Sequence, residues 1–105
     1  MLIFIVEQPR KILLREDLKN RWLMRRAVVA SIEAEGAVNW VIAACAGEEV
    51  FSGEGDNGKF ARPADRPFFD PDTCTVFEIG EETGKEFKGS RILAWELAAP
   101  ESSSE

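Results

Sequence analysis

The stretch Ala27-Val28-Val29-Ala30-Ser31-Ile32-Glu33-Ala34-Glu35-Gly36-Ala37-Val38-Asn39-Trp40-Val41-Ile42-Ala43-Ala44-Cys45 decides the fold. Its first part fits a strand better than a helix. Counted in twos from Trp22, one face carries Trp22, Met24, Arg26, Val28, Ala30, Ile32 and Ala34, apolar except for Arg26. Counted as a helix capped by Asp17 and stopped by Gly36, the apolar stripe Leu18, Trp22, Val28, Val29, Ile32 is split by Arg21 and Arg25. A strand is expected over residues 26–35, with a helical stretch over 16–24 left open. Glu35-Gly36 then reads as a hairpin turn, glycine supplying the positive φ that such turns need. Residues 37–45, apolar on both faces, read as a central partner strand.

Outward from that pair, the β-branched and aromatic run Leu2-Ile3-Phe4-Ile5-Val6 reads as an opening strand, punctuated by Gln8-Pro9. Glu49-Val50-Phe51-Ser52 reads as another strand. Cys74–Ile79 and Arg91–Ala98 read as a second antiparallel hairpin with Leu93, Trp95 and Leu97 on one face. Between Ser52 and Cys74, residues 53–73 show no period and read as a long loop, of a length that is uncommon unless it is functional or partly strand. The expected fold is mainly β, an antiparallel, hairpin-rich sheet or small open barrel of about six strands with at most one short helix. An α+β fold with a helix over about 16–33 is the alternative. Residues 1–98 are expected to form a single domain, and 99–105 a polar C-terminal tail. A strand around Trp40 that is apolar on both faces needs cover that so short a chain does not supply, so a homodimer or higher homo-oligomer is expected.

Composition removes several chemistries. The 105 residues include no His and no Tyr, so no mechanism can use an imidazole base from this chain. The cysteines, Cys45 and Cys74, form no Cys-x-x-Cys and read as reduced thiols of a cytoplasmic protein. The opening apolar run meets Glu7 before it reaches the length of a signal sequence, and no apolar run approaches a membrane span. No catalytic residue, metal site or cofactor is assigned.

The charges are separated along the chain. Overall there are 13 Lys and Arg against 19 Asp and Glu, a net charge of −6. Residues 1–30 carry seven basic and three acidic side chains, +4, and residues 31–105 carry six and sixteen, −10. Arg21, Trp22, Arg25 and Arg26 form a candidate anion- or partner-binding patch, because a guanidinium beside an aromatic face suits bidentate contacts and stacking. Nucleic acid is not the expected partner of a chain with a pI near 4.8. In the loop, Phe68 and Phe69 with Asp70 and Asp72, flanked by Arg62 and Arg66, form a second candidate site. The functional expectation is a small acidic non-enzymatic protein that binds another protein through a charged surface and the 53–73 loop. The alternative is a small-molecule-binding domain or carboxylate-dependent enzyme with a pocket between the sheet and that loop, using Asp70, Asp72 or Glu78 with Arg62 or Arg66.

Overall fold

In the computed structural model, residues 1–47, 65–81 and 90–100 are described. Strand β1 (Leu2–Glu7) leads into a short helix α1 (Arg10–Leu13) and a 3₁₀ turn (Glu16–Leu18). Next come β2 (Leu23–Ser31), the twelve-residue helix α2 (Ala34–Cys45), β3 (Thr75–Glu81) and β4 (Arg91–Ala98). The strands form one four-stranded sheet in the order β3-β1-β2-β4, with every neighbouring pair antiparallel.

Residues 37–45 are therefore not a strand, and Glu35-Gly36 is not a hairpin turn. The buried positions of α2 are Ala37, Val41, Ala44 and Cys45, a helical spacing that lays one stripe on the sheet. Alanine, the best helix former, supplies three of the first eight positions of that apolar run. The chain turns at Ile32-Glu33, just after the buried Ser31, whose Oγ donates to the Glu33 carbonyl at 3.0 Å. Gly36 lets the first turn of α2 lie against that hydroxyl: a Cβ there would stand 2.6 Å from Ser31 Oγ. Gly47, at φ +89°, ends the helix and donates its N–H to the Ala44 carbonyl.

Two other expectations are corrected, and one falls outside the described residues. Among the described residues there are four strands, and the expected strand over 49–52 lies outside them. The segment 16–24 holds only a 3₁₀ turn before β2 begins, and no helix covers 16–33. β3 and β4 do not pair with each other; they occupy opposite edges, β3 beside β1 and β4 beside β2. The result is a two-layer α+β domain rather than two hairpin-rich halves. The argument that Trp40 needs an oligomer to cover it also falls, because Trp40 sits on α2 and packs against the core.

One face of the sheet meets α2. Phe4 and Val6 from β1, Ala27 and Val29 from β2 and Ile92 from β4 are buried there with Ala37, Val41 and Ala44. A smaller cluster of Ile12, Leu18 and Leu23 closes the end of the sheet under α1 and the 3₁₀ turn. The other face has no helix over it among the described residues. It carries Ile3, Ile5 and Glu7, then Arg26, Val28 and Ala30 in register with them. Phe77 stands opposite Ile5 on one side, and Ala94 and Glu96 stand opposite Val28 and Arg26 on the other. Phe77 and Ile79 are 52% and 54% exposed.

Candidate functional site

The residues singled out in the sequence fall into two groups on the fold. Arg25 and Arg26 open β2. Arg26 Nε approaches Glu7 at 3.4 Å and Glu96 at 3.9 Å, and Arg25 Nη1 approaches Glu96 at 3.4 Å. All four side chains are about half exposed, so these pairs hold geometry more than they add stability. With Arg10, Leu13, Leu14 and Glu7 the two arginines border a cleft of about 440 Å³ at the end of the open sheet face. The side chain of Arg10 makes no ion pair among the described residues. Arg10 belongs to this group although only its place in a basic run marked it in the sequence.

Arg21, Trp22, Arg66, Phe68 and Phe69 gather instead near the far end of α2. Segment 67–70 is stapled to the sheet: Phe68 donates its N–H to the Trp22 carbonyl at 2.8 Å, and Met24 donates to the Phe68 carbonyl at 3.0 Å. Gln8, 3% exposed, completes the staple. Its Nε2 donates to the carbonyls of Met24 (2.6 Å) and Phe68 (3.1 Å), and its Oε1 accepts from Asp70 N–H (2.9 Å). The guanidinium groups of Arg15 and Arg21 lie 5.8 and 5.5 Å from the centre of the Phe68 ring. Arg21 also donates to the Arg66 carbonyl. The Arg66 guanidinium packs on Gly47, where a Cβ would meet it at 3.0 Å. Its charge thus sits by the C-terminus of α2, the negative end of the helix dipole. Trp22 is half-buried rather than exposed.

Pro67, Phe68, Phe69 and Pro71 face Ile42 and Ala46 of the α2 end across an open, largely apolar cleft of about 330 Å³. This is where a pocket between the sheet and the 53–73 loop was expected, and neither Asp70 nor Asp72 lines it. The Asp70 carboxylate is engaged in its own turn, accepting from Asp72 N–H at 3.0 Å and Thr73 Oγ1 at 3.2 Å. Arg62 and residues 53–64 lie outside the described residues. Glu78 is exposed on β3 opposite Phe4.

The thiols are separate and free. Burial pushes Cys45 up to about 12, and the partly buried Cys74 is raised for the same reason. Neither has the lowered pKa of a reactive nucleophile. Among the described residues no group of His, Cys, Asp or Glu is arranged to hold a metal ion, and no helix is long and apolar enough to cross a membrane. Comparison with family models, with curated proteins and with solved structures gives no match for this chain.

Proposed function

We propose that this is a non-enzymatic interaction protein that assembles through the open face of its sheet, and that the occupant of that face is a second copy of the chain. One observation carries the reading: a sheet face of Ile3, Ile5, Val28, Phe77 and Ala94 has no covering layer among the described residues, with Phe77 more than half exposed. Charge favours a second copy. The chain carries −6 overall, so most of its surfaces repel their own kind. Among the described residues, however, the charges on the open face are Glu7 and Glu96 balanced by Arg26 and Arg91. Two copies related by a two-fold axis can meet there without a net like-charge penalty.

Area sets the strength. Four strands spaced about 4.8 Å apart, each offering about six residues, give a flat face of roughly 400 Å², below the ~800 Å² per partner of a standard interface. An interface of that size fits a reversible dimer rather than an obligate one. The free thiols fit a reducing compartment such as the cytoplasm. The turn-bound Asp70 favours a binding role over carboxylate catalysis.

Sedimentation velocity over a range of concentrations tests this. The expected result is a concentration-dependent shift from monomer to dimer that Phe77→Asp abolishes while leaving the circular dichroism spectrum unchanged. A chain that stays monomeric to about 1 mM, or a dimer indifferent to Phe77→Asp, overturns the proposal.

A further inference from the structure

The cleft beyond the end of the open face has a different character. It is lined by Arg10, Arg25 and Arg26 together with Leu13 and Leu14, the last 67% exposed. Glu7 also lines it, and Glu96 is held by both Arg25 and Arg26. Three guanidinium groups against two carboxylates leave a local excess of one positive charge in a chain whose total is −6. The donors are only partly used. Arg26 approaches both carboxylates at Nε, and Arg25 approaches Glu96 at Nη1. Each guanidinium has five N–H groups, so the Nη groups of Arg26 and the whole head of Arg10 remain to bind an anion. The carboxylates of Glu7 and Glu96 hold Arg25 and Arg26 in place, which lowers the ordering cost of receiving a ligand.

We propose that this cleft binds a small organic anion joined to an apolar group, its carboxylate or phosphate held by Arg10 and the Nη groups of Arg26 and its apolar part laid along Leu13 and Leu14. An exposed leucine beside unspent guanidinium donors is what such an amphiphile requires: charge-assisted hydrogen bonds fix the head and apolar burial adds affinity. At about 440 Å³ the cleft is within the size range of small-molecule sites. Glu7 limits the charge that it can take, which favours one small anionic head group over a polyanion. The cleft shares Glu7 and Arg26 with the edge of the open face, but Phe77 does not line it, so breaking the dimer through Phe77 leaves the cleft's own donors in place.

Isothermal titration at low salt with octanoate, octyl phosphate, acetate and inorganic phosphate, on the full chain, tests the inference. At least one octyl ligand should bind about tenfold or more tighter than its short counterpart, and whichever binds tighter identifies the head group. Arg10→Gln should weaken it about tenfold, Leu14→Ser should bring it towards the short anion, and Phe77→Asp should leave it unchanged. Because Arg10 and Leu14 are exposed, both variants are expected to fold, with circular dichroism as the check. Equal affinity for octanoate and acetate, binding indifferent to Arg10→Gln, or no heat with either octyl ligand to about 10 mM overturns the inference. Loss of binding in Phe77→Asp would do so too, by placing the ligand on the dimer face.

Discussion

Replacing Gly36 by alanine sets two physical effects against each other. Helix propensity favours alanine over glycine by about 0.5–1 kcal/mol, and on that ground alone Gly36→Ala in α2 would stabilise the fold. Packing opposes it. The new methyl would stand 2.6 Å from Ser31 Oγ, whereas its next neighbours, Glu33 Cγ at 3.8 Å and Ser31 Cβ at 4.0 Å, are at ordinary distances. Clearing the hydroxyl takes a movement of about 1 Å. Ser31 is only 2% exposed and its hydroxyl bridges the N–H and carbonyl of Glu33, so moving it either strains the core, at about 1–3 kcal/mol, or gives up a hydrogen bond, at about 1 kcal/mol. Gly36→Ala should therefore destabilise by about 1–2 kcal/mol. Ser31→Ala removes the obstructing atom, so in that background the same change should be neutral or stabilising by up to about 1 kcal/mol. A double-mutant cycle by urea denaturation would then show a coupling energy of about 2 kcal/mol. Gly36→Ala raising stability equally in both backgrounds would refute the close approach of α2 to the end of β2.

Further outcomes follow from buried groups. Gln8→Leu leaves two carbonyls and one N–H without their side-chain partner and should cost about 3 kcal/mol. Gln8→Glu would place a carboxylate against those carbonyls, raising its folded pKa above the ~4.3 of the unfolded chain. Its deficit relative to the parent should be smallest below about pH 4.3, where the carboxyl can still donate, and should widen as pH rises; urea midpoints at about pH 4 and pH 7 that show the same gap would refute this. The thiols should differ in the same way. A disulfide reagent at about pH 8 should label Cys74 first and Cys45 only when the protein unfolds. Because Cys45 is raised to about 12 in the fold, its contribution is full below an unfolded value near 8.5 and is lost as pH rises towards 12. Alkaline unfolding should therefore weaken in Cys45→Ala.

What could be read from the sequence divides along a physical line. β1, the core of β2, β3 and β4 were marked by local runs of β-branched and aromatic residues and lie within a few residues of the expected ranges. The apolar run 37–45 was not decidable by periodicity, because only Asn39 interrupts it and both periods need polar positions to become visible. The alanines were the available signal, and they favour the helix that forms. Strand partnership was hidden for another reason: β3 joins β1 and β4 joins β2 across long sequence separations that no local pattern encodes. Gln8 looked like punctuation before Pro9, and its role depends on backbone 60 and 62 residues away.

The charge asymmetry of the sequence resolves mostly within the basic segment itself. Among the described residues, Arg15 pairs with Asp17, Lys19 with Glu16 and Arg26 with Glu7, all inside the first thirty residues, and Glu96 comes from the acidic remainder to meet Arg25 and Arg26. Every one of these pairs is substantially exposed, so each adds little to stability and is readily screened. Their effect is positional: Glu7 and Glu96 hold two guanidinium groups in place at one end of the sheet, and Arg10 beside them makes no ion pair among the described residues. The separation first visible as a difference in sign along the chain thus becomes, in the fold, a small positive site on an acidic molecule. Added salt should accordingly weaken anion binding at that cleft far more than it changes the midpoint of unfolding.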